Sequence, residues 1–254
     1  MGAVPSRAQE KSLEISRLAS MKLSVVIPVL NEEDTILQII DRAERVSLPG
    51  MGKEIVVVDD GSSDRTPEIL KTIPGVCLVS HPHRKGKGAA LKTGIHHSNG
   101  DIILLQDADL EYDPEDYPVL LGPILEGKAE FVMGSRFRLQ KPRFFTEHGD
   151  PFFSHYVGNR MIIWLTNFLY GQNHTDYEGC YKAFTKSLIR SIPIQADGFA
   201  FDNELICKTL RRGYRIVEVP IRYQPRLYTQ GKKIKWRDGV VMLWAILKWR
   251  FLPF

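Results

Sequence analysis

Residues 23–32 read LSVVIPVLNE, an apolar and β-branched run of strand length that ends in polar side chains. Over residues 32–46 the apolar side chains then recur at helical spacing, at Ile36, Ile39, Ile40 and Ala43. A strand followed directly by a helix is the repeating unit of an α/β fold. This stretch therefore predicts that the chain begins a βα arrangement.

The same alternation continues along the chain. We predict further strands at 54–58, 76–80, 101–105, 130–133 and 214–219, and further helices at 64–71, 88–97, 156–170, 204–212 and 237–251. A proline-bearing segment at 137–151 reads as a long loop. Strands that alternate with helices predict a mostly parallel sheet that is flanked by helices, in a single domain.

Length and composition exclude several classes of protein. The 254 residues are 43% apolar and 25% charged, which is typical of a globular domain and not of collagen, a coiled coil or a disordered chain. The longest apolar run, at 240–247, is far shorter than the roughly 20 residues that cross a bilayer. The three scattered cysteines fit a reducing cytosol. We divide the chain into a polar tail (1–20), an α/β domain (21–236) and an amphipathic C-terminal helix (237–254).

Polar side chains follow three of the predicted strands, where ligands bind in open α/β sheets. Asp107 and Asp109 come directly after the buried run at 101–105. Two carboxylates at alternate positions repel each other unless a cation lies between them, and hard oxygen ligands suit Mg²⁺ or Mn²⁺. These residues therefore predict a metal site, with a purely structural turn as the alternative.

Five motifs occur in one order along the chain: PVLNE at 28–32, DDGSSD at 59–64, KGKGA at 85–89, DAD at 107–109 and GSR at 134–136. Together they resemble glycosyltransferase family 2, which has the GT-A fold. Within that family the chain is similar to the branch of polyprenyl-phosphate glycosyltransferases that includes dolichyl-phosphate mannose synthase. Weaker similarity continues through TDYEGCYK at 175–182 and EVPI at 218–221.

The resemblance implies an inverting, metal-dependent enzyme. It would move a hexose, mannose or glucose, from a GDP- or UDP-sugar to a polyprenyl phosphate of the dolichyl or undecaprenyl type. Asp107 and Asp109 would hold the metal, and Glu111 stands where related mannose synthases place a glutamine ligand. The nucleoside pocket would consist of Pro28, Asn31, Glu32, Asp59 and Asp60.

Several cations are candidates for binding phosphate oxygens. Lys85 and Lys87 lie in a glycine-rich loop that permits close approach of the donor. Further candidates are Arg136, Arg226, Lys232 and Lys233, with solvated surface charge as the alternative. His81 and His83 are interpreted as loop histidines away from the acidic edge.

The acceptor decides whether a general base is needed. A lipid phosphate is already mostly anionic near neutral pH, whereas a hydroxyl acceptor on a glycan or glycolipid would need a base, for which Asp176 and Asp197 are candidates. A non-enzyme alternative is a nucleotide- or nucleic-acid-binding module. The sequence contains no recognised RNA or DNA motif, so we expect no nucleic-acid partner.

The C-terminal region is basic and aromatic. The net charge is +4, and from Cys207 onward 12 Lys and Arg stand against two acidic residues. We expect Trp244 and Leu247 to face lipid and Lys248 and Arg250 to face headgroups, which would make the protein peripheral at the cytosolic face of a membrane. The alternative is a helix packed on the sheet.

Overall fold

The computed structural model describes residues 21–139, 153–225 and 236–254. The predicted polar tail, most of the predicted loop at 137–151 and the cations Arg226, Lys232 and Lys233 lie outside these residues. Within them, no helix is long and apolar enough to cross a membrane.

One sheet forms the centre of the molecule, and helices follow most of its strands. The strands are β1 (Lys22–Val29), β2 (Gly52–Asp59), β3 (Cys77–Ser80), β4 (Ile102–Leu105), β5 (Phe131–Ser135), β6 (Lys182–Thr185) and β7 (Ile216–Pro220). The helices are α1 (Ile36–Arg45), α2 (Thr66–Lys71), α3 (Lys87–His97), α4 (Tyr117–Leu125), α5 (Phe153–Tyr170), α6 (Lys186–Ser191), α7 (Phe201–Arg211) and α8 (Trp236–Phe251). A 3₁₀ turn (Pro114–Asp116) precedes α4.

The strand order is β3-β2-β1-β4-β6-β5-β7. β1 pairs in parallel with β2 and β4, β2 with β3, and β5 with β7, whereas β6 is antiparallel to both β4 and β5. The predicted mostly parallel α/β sheet is therefore confirmed. Because β6 runs in the opposite direction, its amino end lies at the same edge as the carboxyl ends of β1, β2, β4 and β5.

The core follows the predicted hydrophobic pattern. All four residues of β4 are buried, and α1 buries Ile36, Ile39, Ile40 and Ala43. Burial of each such side chain contributes roughly 1.5–3 kcal/mol, so the apolar runs of the sequence hold the sheet together.

Three elements, β6, α4 and α6, were not predicted from the sequence. β6 has only four residues and starts at Lys182, a residue type that rarely occupies a core. In the structure this side chain is 1% exposed, and its ammonium lies 2.9 Å from Asp202 Oδ1. Because a distant partner neutralises the lysine, local sequence pattern alone does not reveal the strand.

Candidate active site

A cleft of about 780 Å³ opens at the carboxyl edge of the sheet. It brings together nine of the predicted site residues: Pro28, Glu32, Asp60, Lys87, Asp107, Asp109, Glu111, Arg136 and Asp197. The polar ends of β1, β2, β4 and β5 therefore meet in one place, as the parallel arrangement requires.

The centre of the cleft is an ion pair between Lys87, at the start of α3, and Asp107, just after β4. Lys87 Nζ lies 2.7 Å from Asp107 Oδ1. Burial alone would raise the pKa of Asp107, but the charge and hydrogen bond of Lys87, together with Cys180 and Lys182, outweigh it and lower that pKa. Burial likewise opposes the charge on Lys87, yet Asp107 and other nearby groups raise its pKa. Both groups are therefore charged at neutral pH.

The acidic pair Asp107 and Asp109 fits a divalent cation that also binds substrate phosphate. Among residues 21–139, 153–225 and 236–254, no group of three or more His, Cys, Asp or Glu side chains comes together as a metal cluster. Glu111, the third predicted ligand, accepts a hydrogen bond at 3.1 Å from the Tyr223 hydroxyl. Mg²⁺ commonly binds through one or two carboxylates plus phosphate oxygens, so two carboxylates are a chemically adequate protein donor set.

Asp60 shapes the loop that carries Lys87. Its carboxylate accepts hydrogen bonds from the backbone N–H groups of Lys85, at 2.9 Å, and Gly86, at 2.8 Å. Gly86 has φ of +114°, and a Cβ there would lie 2.4 Å from the carbonyl oxygen of Asp197, so only glycine fits. The Lys85 side chain is exposed, whereas Lys87 faces the cleft.

His81 corrects one sequence interpretation. Its side chain is buried, and its Nδ1 lies 2.8 Å from Asp60 Oδ1. The histidine therefore lies against the acidic edge and supports Asp60, although the sequence alone placed it in a loop away from that edge.

Asn31 and Asp59 stabilise the turns behind the cleft. Asn31 has φ of +52°, its Oδ1 accepts a hydrogen bond from Ser63 N, and Asp59 Oδ1 accepts one from Ser62 N. Neither side chain lines the cleft as the structure describes it. Their contacts position the turns after β1 and β2, while Pro28 and Glu32 provide the surface of the cleft.

Arg136, a predicted phosphate-binding residue, lines the cleft and is paired with a carboxylate of the protein. Its Nε and Nη2 lie 2.7 Å and 2.8 Å from the two oxygens of Asp176, and its side chain is only 14% exposed. Burial opposes the charge of Arg136, but Asp176 offsets this and raises its pKa. Asp176 is 1% exposed and bound to Arg136, so it is not placed as a free general base. Asp197, the other candidate, lines the cleft, and its exposed carboxylate is paired with Lys92.

Glu178 lines the cleft and was missed by sequence reasoning. Its Oε1 accepts a hydrogen bond from Asn203 Nδ2 at 2.8 Å. Burial raises its pKa to about 6, an effect that the positive charge of Lys182 only partly offsets. Glu178 precedes the antiparallel strand β6, and only that reversed direction brings it to the carboxyl edge of the sheet.

Helices α5 and α8 form one wall of the cleft. The lining residues from them are Gly158, Asn159, Ile162, Asp238, Gly239, Val241 and Met242. The sequence predicted both helices but gave no signal that they approach the site, because that approach depends on how they pack onto the sheet.

Residues 24–192, more than half of the chain, match the model of glycosyl transferase family 2. The chain belongs to that family. The low-salt glycan biosynthesis hexosyltransferase Agl6 of Haloferax volcanii is 34% identical over 206 residues, covering 80% of this chain and 48% of the relative. An undecaprenyl-phosphate 4-deoxy-4-formamido-L-arabinose transferase of Edwardsiella ictaluri is 30% identical over 227 residues, covering 83% and 62%. The chain thus spans less than two thirds of either relative's length.

The fold matches a solved enzyme as well. The crystal structure of glucosyl-3-phosphoglycerate synthase from Mycobacterium tuberculosis has a TM-score of 0.70 and 26% identity, covering 95% of this chain and 85% of that one. A structure of the same enzyme with Mn²⁺, uridine diphosphate and phosphoglyceric acid has a TM-score of 0.71 at 24% identity, covering 100% and 86%. The architecture is of the predicted GT-A type.

Proposed function

We propose that this chain transfers a hexose, mannose or glucose, from a GDP- or UDP-sugar to a polyprenyl phosphate, with inversion and with Mg²⁺ or Mn²⁺. The observation that carries the proposal is the juxtaposition of Lys87 with Asp107 at the centre of the cleft. A cation beside two carboxylates at the carboxyl edge of a parallel sheet suits a metal-bound diphosphate. Family membership favours this reading over a binding module without catalysis.

The donor diphosphate would lie against Lys87 and the acidic pair. When bound, the metal would act as a Lewis acid that neutralises the leaving diphosphate. Asp107 and Asp109 would hold it, while Lys87 donates hydrogen bonds to phosphate oxygens. Pro28 and Glu32 would wall the nucleoside end of the cleft. The mycobacterial enzyme, solved with uridine diphosphate and Mn²⁺, supports a donor of this class without deciding between UDP and GDP.

The acceptor would attack as a phosphate monoester. A phosphate oxygen forms a bond to the anomeric carbon, the bond from that carbon to the diphosphate oxygen breaks, and nucleoside diphosphate leaves. Because the second pKa of a phosphate monoester is about 6, this nucleophile needs no strong base near neutral pH. The undecaprenyl-phosphate transferase relative supports this acceptor class. The enzyme would then work at the cytosolic face of a membrane.

A second candidate function is transfer to a hydroxyl of a glycan or glycolipid. Glu178 favours it, because a carboxylate in the cleft with a pKa raised to about 6 is suited to act as a general base. The Agl6 relative, a glycan biosynthesis hexosyltransferase, is compatible with it.

A donor and acceptor panel separates the two candidates. UDP- and GDP-hexoses would be incubated with Mn²⁺ and either a short-chain prenyl phosphate or a prenyl-linked sugar, and the products identified by mass spectrometry. We expect a prenyl-phosphate hexose that forms as well with Glu178→Gln as with the wild type. Transfer to the sugar hydroxyl alone, abolished by Glu178→Gln, would replace the first proposal with the second.

A further inference from the structure

An apolar surface covers helices α5 and α8 on their outer sides. Of the 13 large apolar side chains that are exposed among the described residues, 10 lie on these two helices or directly after α8. Trp164 is 65% exposed, Phe168 71%, Trp244 61% and Phe251 70%. Exposed apolar patches of this kind mark interaction sites.

The exposed residues form one stripe on each helix. On α5 the stripe consists of Val157, Met161, Trp164 and Phe168, and on α8 of Val240, Trp244, Leu247 and Phe251, with the exposed Val241 beside it. Both stripes have the spacing four, three, four, which places their members on one face of a helix. We call these eight residues the two-helix surface.

The opposite faces of both helices hold them against the domain. Ile162 and Ile163 of α5 and Ile246 and Trp249 of α8 are buried. The Tyr170 hydroxyl donates a hydrogen bond of 2.9 Å to the carbonyl oxygen of Ile246, which links the two helices directly. Trp249 packs inside against the Lys208 ammonium. The apolar stripes thus face away from the core on two neighbouring helices.

The charge of the two helices fits an anionic partner. Their sequences contain the cations Arg160, Arg237, Lys248 and Arg250 but one acidic residue, Asp238. Tryptophan and phenylalanine beside arginine and lysine are typical of helices that lie in a membrane interface. A second copy of this chain would present the same positive charge, and like charges disfavour that pairing.

The two-helix surface is also continuous with the cleft. Gly158, Asn159 and Ile162 of α5 and Val241 and Met242 of α8 line the cleft wall, and Val241 is itself 53% exposed. An amphiphile resting on the outer face of these helices would therefore have its polar end at the wall of the cleft that also contains the acidic pair. A bilayer is the partner that presents such an amphiphile at this position.

We propose that the two-helix surface docks onto an anionic lipid bilayer and places the rim formed by α5 and α8 at the headgroups, so that a membrane-borne prenyl phosphate enters the cleft past this rim. The part that concerns the acceptor rests on the proposed function. The docking itself rests on the exposure of the two apolar stripes, on the positive charge of α5 and α8, and on the cleft wall that these helices form. Both helices contribute, so a change on α5 disrupts docking as a change on α8 does.

The test compares vesicle binding of the full chain and two double variants. Trp164→Glu with Trp244→Glu places one charge on each stripe at exposed positions, so the fold is retained. Leu37→Glu with Val119→Glu is the matched control, since these apolar side chains are 57% and 44% exposed on α1 and α4. Sedimentation uses vesicles of phosphatidylcholine with phosphatidylglycerol. Transfer is measured in parallel with a short water-soluble prenyl phosphate and with a long-chain one in the vesicles.

We expect salt-sensitive binding of the wild type and the control, and at least a tenfold loss in the surface variant, roughly the effect of removing two interfacial aromatic anchors. The variant should keep transfer to the short acceptor and lose transfer to the vesicle-borne one. Docking is overturned if the variant and the wild type sediment equally with vesicles, or if neither sediments. It is also overturned if the wild type forms a dimer through this surface and the variant does not. Vesicle binding without transfer to any prenyl phosphate leaves docking intact and overturns the proposed acceptor.

Discussion

Lys87 and Asp107 are joined by an ion pair of 2.7 Å at the point in the cleft where a metal-bound diphosphate would lie. The lysine begins α3 and the aspartate follows β4, so two different elements supply the pair. A divalent cation that approaches Asp107 must compete with the Lys87 ammonium for the same carboxylate. A diphosphate would offer the lysine a replacement partner, which couples metal binding to nucleotide binding.

Replacement of Lys87 with Met should therefore strengthen Mn²⁺ binding in the absence of nucleotide. We expect roughly a tenfold lower dissociation constant, which corresponds to about 1.4 kcal/mol of lost competition. Uridine diphosphate should strengthen Mn²⁺ binding more in the wild type than in the variant. Electron paramagnetic resonance of free Mn²⁺ measures both, and Lys92→Met, which removes a cation paired with Asp197, is the control. If Lys87→Met binds Mn²⁺ no more tightly than the wild type in the absence of nucleotide, Lys87 does not compete with the metal for Asp107.

Asp109→Asn tests the metal site and leaves the ion pair between Lys87 and Asp107 intact. The variant should keep the circular dichroism spectrum of the wild type and lose activity by about 100-fold or more, as is common when a major electrostatic stabiliser is removed. Excess chelator should abolish wild-type activity, and added Mg²⁺ or Mn²⁺ should restore it. Asp41→Asn, at an exposed carboxylate on α1 that does not line the cleft, is the control. Turnover that survives chelation would remove the metal from the proposal.

The fold was predictable because the patterns that indicate its strands and helices each lie within a short stretch of sequence. The buried run at 101–105 and the helical spacing from Ile36 to Ala43 correspond to β4 and α1 within one residue or two. The acidic pair was also predictable, since strand ends in a parallel sheet converge. Strand β6 was not, because its Lys182 depends on Asp202, a partner on another element.

The remaining parts of the site depend on contacts between distant elements. Arg136 was predicted to bind phosphate oxygens. In the structure its guanidinium is paired with Asp176, a residue 40 positions away in the sequence, which local sequence does not reveal. Glu178 reaches the cleft through the reversed direction of β6. Sequence motifs therefore identified residue types at the site, whereas the pairing among them required the structure.

Arg136→Met should destabilise the protein. The substitution leaves Asp176 buried without its ionic partner, and loss of one member of such a pair costs about 3–5 kcal/mol. Arg138→Met is the matched control, because that arginine is 48% exposed and lies 3.8 Å from Glu218, so a change of less than about 1 kcal/mol is expected. Urea denaturation measures both variants. Equal midpoints for Arg136→Met and the wild type would show that the buried pair contributes nothing to stability.

Glu178→Gln should gain stability relative to the wild type as the pH rises. Burial raises the pKa of Glu178 in the folded protein to about 6, above the value near 4.3 of an unfolded chain, so the folded state holds the proton more tightly. The protonated Glu178 therefore stabilises the folded wild type fully below about pH 4, and this contribution is lost as the pH rises through 6. The neutral amide avoids that loss, so the variant should gain about 1–2 kcal/mol over the wild type between pH 4 and pH 8. Thermal unfolding at both pH values measures the difference, with the exposed Glu68→Gln as control. If the difference in stability between variant and wild type stays constant with pH, or narrows toward pH 8, the pKa of Glu178 is not raised in the folded protein.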